Sequence, residues 1–222
     1  MILIAYNLFV TTSLANITLK IKVKNSLDDK YFSKLQKSVV AISINEAGKE
    51  KEWIASGFYI SKSGHILTCA HPFYGKENVR TSKSDEILPI VAESKRLDLV
   101  LLKSNSGGED WISTEDFEEG EYGESVYSMG SPYGEKESFF TAIVSKPYAF
   151  GGDPTEPDLQ YLQVDKVFLP GFSGAPILNT RGKFLGVARH QRVLLESKQS
   201  GLGYAIRPEV VKVFLEKYMK EE

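Results

Sequence analysis

Apolar residues in this chain fall into short runs cut at frequent intervals by Gly, Pro, Asn, Asp and Ser, the texture of a β-rich protein. Six runs occupy the first half: VVAISI (39–44), WIASGFYIS (53–61), HILTC (65–69), NVRTS (78–82), EILPIVAE (86–93) and DLVLLK (98–103). The loop Lys62-Ser63-Gly64 makes a hairpin of the second and third. Six more follow: SVYSMG (125–130), FFTAIVS (139–145), YLQVD (161–165), APILN (175–179), KFLGVAR (183–189) and GLGYAI (201–206). Helical spacing is confined to two stretches. In 28–38, DDKYFSKLQKS, it puts Tyr31, Phe32 and Leu35 on one side; in PEVVKVFLEKYMKEE it aligns Val210, Val211, Phe214, Leu215 and Tyr218 after Pro208. The stretch 104–124 is rich in carboxylates and contains no Lys or Arg, so it reads as a linker and not as a buried element. The pattern predicts an all-β fold of two six-stranded antiparallel barrels with short N-terminal and C-terminal helices. Barrel one covers about 39–103, the linker 104–124, barrel two about 125–206 and the last helix 208–222.

The N-terminus has two readings. Residues 1–15, MILIAYNLFVTTSLA, are mostly apolar and end in Ser13-Leu14-Ala15, small residues of the kind a signal peptidase requires. No Lys or Arg opens the stretch, and it is too short to span a bilayer. A first strand leading into ITLKIKVK is the alternative. With a signal peptide, residues 16–222 form one extracytoplasmic domain, periplasmic or secreted; without one, the protein is cytoplasmic. No other segment approaches transmembrane length, so no stable membrane span is expected.

Charge and cysteine content narrow the chemistry. The 27 Lys and Arg against 29 Asp and Glu, net -2, argue against a nucleic-acid partner. The single cysteine, Cys69, excludes an intrachain disulfide and a CxxC site. Three histidines, His65, His71 and His190, make a His-rich metal site unexpected, and neither metal nor other cofactor is called for.

A candidate nucleophile stands in LPGFSGAPI at 169–177. Gly171 allows a turn that aims its own N–H and that of Ser173 at one point, and Gly174 leaves room for a substrate. Alone the pattern is weak, since G-x-S-G arises by chance in roughly one chain in ten of this length. A serine hydroxyl needs a base. His71, in GHILTCAHPF, follows an apolar strand and is the best candidate; His65 opens that strand and is expected in solvent, and nothing in the sequence orients His190. The base in turn needs a carboxylate held away from water. Asp98 in KRLDLVLLK precedes a buried-looking strand; its structural alternatives are an ion pair with Lys95 or Arg96, or closure of a turn.

The segments SGFYISKSGHILTCAH, RLDLVLLK, YGESVYSMGSPYG and LPGFSGAPILNTRGKFLGVA together resemble trypsin-like serine peptidases of the HtrA (Deg) type. The resemblance runs from about Val39 through GLGYAIRPEVV at 201–211, and the order His, Asp, Ser is that of the chymotrypsin fold. It implies a double barrel with the site between the barrels. It further implies His71 as base, Asp98 as its orienting carboxylate, Ser173 as nucleophile and the Gly171 and Ser173 amides as oxyanion hole. The implied activity is that of a serine endopeptidase acting on polypeptides, in quality control or processing.

The sequence departs from the family in places. Phe172 precedes the serine, where its bulk is expected to narrow the cleft or disturb the oxyanion turn, and Ala175 replaces a common glycine. Such enzymes carry a C-terminal PDZ domain, whereas one helix ends this sequence, so capture through such a module is not expected. By analogy with the fold, Val167, six residues before the serine, lies at the base of the specificity pocket, with Arg189 and His190 at its rim. A pocket closed by valine predicts cleavage after small or medium aliphatic residues. Relatives form trimers through N-terminal contacts, which Tyr31 and Phe32 are placed to make unless they pack on their own domain. The Gly- and Pro-rich 146–160 is the expected mobile loop. Cys69 is expected in the core. A catalytically silent peptide-binding or chaperone-like module on the same fold is the competing function.

Overall fold

The computed structural model describes residues 29–44, 52–74, 78–150, 156–193 and 199–219, with the side chains of 190–193 and 199–200 outside that description. The candidate signal segment 1–15 also lies outside it. Helix α1 (Asp29–Ser38) leads into β1 (Val39–Ile44), β2 (Glu52–Tyr59), β3 (His65–Cys69), β4 (Val79–Thr81), β5 (Ile90–Ser94) and β6 (Leu99–Lys103). These strands form one antiparallel sheet in the order β4-β1-β2-β3-β6-β5. After 104–124, which holds no helix or strand, come β7 (Ser125–Gly130), β8 (Ser138–Ala149), β9 (Tyr161–Val164), β10 (Pro176–Asn179), β11 (Phe184–Val193) and β12 (Gln199–Ile206). They close into a barrel in the order β10-β11-β12-β9-β8-β7, and α2 (Pro208–Tyr218) ends the described chain.

The two six-stranded antiparallel barrels expected from the sequence are found, the second closed and the first a half-barrel open between β4 and β5. The strand predicted over 86–93 begins only at Ile90, and β4 and β5 remain edges, bridged by one bond from Leu88 N–H to Val79 O at 2.8 Å. In the barrel, β8 continues to Ala149, past the predicted 145, with a register shift beside Pro147. The expected mobile loop is thus strand at its start, and 151–155 lie outside the described residues.

The two halves share a core. Leu67 and Leu101 of the sheet join Tyr127, Met129, Phe184, Val187 and Phe214 in one buried cluster, with Phe58 and Phe184 rings 5.8 Å apart across the seam. Each fully buried aliphatic side chain stabilises such a seam by about 1.5–3 kcal/mol. Helix α2, opened by Pro208 at its first turn, buries Val211, Phe214 and Leu215 in the same cluster. Helix α1 buries Leu35; Tyr31 lies over Gly182, and Phe32, 39% exposed, meets Phe139 edge-on at 5.3 Å. Tyr31 therefore packs on its own domain, while Phe32 touches it by one edge and leaves part of its ring exposed.

Candidate active site

The register of β3 against β6 pairs Cys69 with Leu99, so the residues just beyond these strand ends, Ala70-His71 and Asp98, meet at one edge of the sheet. Asp98 has φ +56, a left-handed conformation that a short polar side chain tolerates. Its main-chain carbonyl receives Ala70 N–H at 3.1 Å, and its carboxylate doubles back onto the same segment. Oδ1 accepts from Ala70 N–H at 3.1 Å and His71 N–H at 2.7 Å, while Oδ2 lies 2.8 Å from His71 Nδ1. A carboxylate only accepts, so Nδ1 carries the proton and Nε2 is left as the acceptor. Nε2 stands 3.2 Å from Ser173 Oγ.

Asp98 is 1% exposed, whereas the His71 side chain is 38% exposed and open to a reactant. Burial pushes the Asp98 carboxyl up, but the His71 hydrogen bond, the His71 charge and the Arg189 guanidinium outweigh burial and hold it below its ordinary value. Arg189, from β11 of the other half, brings Nε to 2.6 Å from Oδ2 and stacks its guanidinium 5.5 Å from the Tyr161 ring centroid. The alternative partners named from the sequence are engaged elsewhere. Arg96 reaches Glu156 at 3.3 Å, and the Lys95 ammonium lies over Tyr74.

Ser173 sits in the turn between β9 and β10, seated against both halves. Its carbonyl accepts from Ser56 N–H of β2 at 2.8 Å, and its hydroxyl donates to Arg189 O at 2.8 Å. Gly171 has φ +88 and Gly174 +92, values that favour glycine. A Cβ on Gly174 would fall 2.0 Å from Ser56 O. This glycine thus makes room for the opposite sheet and not, as expected from the sequence, for a substrate. Pro170 O accepts from Tyr133 N–H at 2.7 Å and Phe172 O from Ala175 N–H at 3.1 Å. In planar trans peptides the Gly171 and Ser173 amides therefore point away from those anchors, free of internal acceptors among the described residues.

Phe172 does not enter the cleft. Its ring is 4% exposed and lies 4.6 Å from Phe140 and 5.8 Å from Phe168, inside the barrel core. Val167 is half-buried beside Phe168. The Arg189 guanidinium faces Asp98 while its carbonyl faces Ser173, and His190 pairs through its main chain with Tyr204, its side chain lying outside the description. His65, expected in solvent, is buried, its Nδ1 3.0 Å from Ser61 Oγ.

Cys69, His71 and Asp98 offer donor atoms within 4.8 Å of one another. Their chemistry does not suit a cation. Burial pushes the Cys69 thiol well up, it donates to Ala188 O at 3.3 Å, and Asp98 already faces the Arg189 cation. No described helix is long and apolar enough to cross a membrane.

A closed six-stranded barrel docked on an open six-stranded sheet, with His71, Asp98 and Ser173 gathered at the seam, defines the chymotrypsin-type double-barrel class. The chain belongs to the trypsin-like peptidase domain family, whose model matches residues 55–187, more than half of its length. It is 30% identical over 181 residues to the "Probable periplasmic serine endoprotease DegP-like" of Ectopseudomonas mendocina (strain ymp), covering 79% of this chain and 37% of that protein. It is also 28% identical over 169 residues to "Serine protease HTRA1" of Xenopus tropicalis, covering 72% and 35% respectively. The solved structure "HtrA-type protease AlgW with tripeptide" shares the fold at TM-score 0.68 and 20% identity, over 84% of this chain and 60% of that one. The chain spans about a third of the length of the curated relatives it matches.

Proposed function

We propose that this chain is a serine endopeptidase that hydrolyses polypeptides through an acyl-enzyme. One observation carries the reading: His71 bridges a buried carboxylate at 2.8 Å and a hydroxyl at 3.2 Å. Ser173 Oγ turns its proton from Arg189 O to His71 Nε2 and attacks the scissile carbonyl. The C–O bond forms as the carbonyl π pair moves onto oxygen, where the Gly171 and Ser173 amides receive the negative charge. The imidazolium, steadied by Asp98, then protonates the leaving amine, and water, deprotonated by His71, repeats the sequence on the acyl-enzyme. Looser contact between base and nucleophile is usual before a substrate seats. No step requires a metal or cofactor.

Val167 closes the specificity pocket without a charge, with Arg189 O and His190 on its wall, so small or medium aliphatic side chains fit at the cleaved position. The periplasmic naming of a DegP-like relative supports an extracytoplasmic setting in protein quality control or processing. Phe32, partly exposed on α1, is the contact we assign to a homo-oligomer, a trimer, which light scattering of wild type against Phe32→Ser would test. The burial of Phe172 removes the obstruction on which a catalytically silent peptide-binding module would rest.

Treatment with a fluorophosphonate probe, followed by mass mapping, tests the central reading. Labelling of Ser173 in the wild type and its loss in His71→Ala is expected, and Ser173→Ala should reduce hydrolysis by about 1,000-fold or more. Undiminished hydrolysis by Ser173→Ala would sink it.

A further inference from the structure

We infer that Ser56 is a positioning residue for the oxyanion-binding turn, holding it from the opposite sheet; this rests on the catalytic reading above. Four consecutive carbonyls run through the turn, and each has a donor. Pro170 O takes Tyr133 N–H, Gly171 O takes Ser56 Oγ–H at 2.8 Å, Phe172 O takes Ala175 N–H, and Ser173 O takes Ser56 N–H at 2.8 Å. Residue 56 supplies two of the four. The peptide planes between Gly171 and Phe172 and between Ser173 and Gly174 are the ones it grips. They alternate with the planes that carry the Gly171 and Ser173 amides. Rotation of one plane drags its neighbours through the shared φ and ψ, so Ser56 fixes where those amides aim.

Ser56 is itself held on every side. It is fully buried, its Oγ accepts from Ser131 N–H at 2.8 Å, and its carbonyl accepts from Thr68 Oγ1–H at 2.7 Å. Ser131 opens the turn whose Tyr133 grips Pro170, so one hydroxyl joins both anchors of the oxyanion segment. Loss of Ser56 Oγ would strand a carbonyl and an N–H at once, in a place that a rearranged turn could satisfy differently. The expected result is a turn whose amides no longer converge while the substrate-facing surface is unchanged. Such a residue acts on the charged state and not on ground-state binding.

The test is fluorophosphonate acylation of the whole chain, with the maximal rate and the half-saturating concentration measured separately. Ser56→Ala is expected to lower the maximal rate about 10- to 100-fold, below the loss for deleting an oxyanion donor outright, and to move half-saturation by less than about threefold. Ser104→Ala, which removes another fully buried hydroxyl hydrogen bond (Ser104 Oγ to Glu86 Oε1, 2.6 Å) far from the turn, is the control for stability and should leave both values near wild type. Ser56→Cys keeps the size with a weaker donor and should lower the maximal rate less than Ser56→Ala but by more than about threefold, and it carries the test if Ser56→Ala does not fold. A maximal rate within about threefold of wild type in Ser56→Ala, or in Ser56→Cys where that variant must serve, overturns the inference. So does a fall matched by the Ser104 control. Failure of wild type to label at Ser173 is a different result and overturns the nucleophile assignment together with this inference.

Discussion

The Arg189 guanidinium lies 2.6 Å from Asp98 Oδ2, the oxygen that also receives His71 Nδ1. A buried carboxylate facing a neutral imidazole would be an uncompensated charge, and Arg189 supplies the compensation from the other half of the molecule. Removing one partner of such a pair is costly. Arg189→Met should lower the unfolding free energy by about 2–4 kcal/mol, measured by urea titration. An unchanged midpoint would make the pair incidental.

The same pair sets a pH dependence. The folded Asp98 carboxyl titrates below its ordinary value, so its stability is present above the unfolded value and is lost as pH falls through the folded one. Arg189→Met removes one of the lowering causes. The acid-side fall in urea midpoint that Asp98 contributes begins near the unfolded value in both proteins, and in the variant it should be smaller and end at higher pH. Superimposable profiles between about pH 7 and pH 3 would contradict the assignment.

Gly174→Ala tests how closely the halves meet. Its positive φ costs an alanine about 1–2 kcal/mol, and the clash with Ser56 O adds the about 1–3 kcal/mol usual for overpacking. Thermal unfolding should reveal the sum, with the fluorophosphonate reaction slowed because the nucleophile is displaced. Wild-type melting would show that the seam yields at this point.

Cys69 should be chemically silent. Burial pushes its thiol well up, and the Asp98 charge acts in the same direction. Iodoacetamide should leave the folded protein unmodified and alkylate it fully in urea. Complete alkylation of protein that keeps its native unfolding midpoint would rule out the buried, protonated thiol described above.

The proposed closure of the specificity pocket by Val167 sets the expected cleavage preference. A peptide library should return small or medium aliphatic residues at the cleaved position, and a profile dominated by Arg or Lys would dismiss the pocket assignment.

Strand and helix positions were readable because short apolar runs with Gly and Pro between them leave few alternatives. HILTC and SVYSMG match β3 and β7 residue for residue. The grouping of His71, Asp98 and Ser173 came from motif order. The partner of Asp98 did not: Lys95 and Arg96 are near in sequence, but β11 brings Arg189 across 91 positions. Ser56 was equally hidden, since one serine before a glycine in a strand carries no local mark of the turn it grips. Phe172 misled because bulk beside a nucleophile suggests obstruction, whereas the left-handed Gly171 turns that ring into the barrel.

Synthesis runs from the N-terminus, and this gives the seam between the two halves a meaning in time. His71, Asp98 and Ser56 are made within the first 103 residues, while Ser173 and Arg189 follow only in the last quarter of the sequence. A nascent chain holds the base and its carboxylate early but has no nucleophile, no balancing guanidinium and no turn for Ser56 to grip. On the proposed mechanism, hydrolytic power arises only once the residues through Arg189 are made, so the growing polypeptide and its neighbours are spared by the order of translation itself.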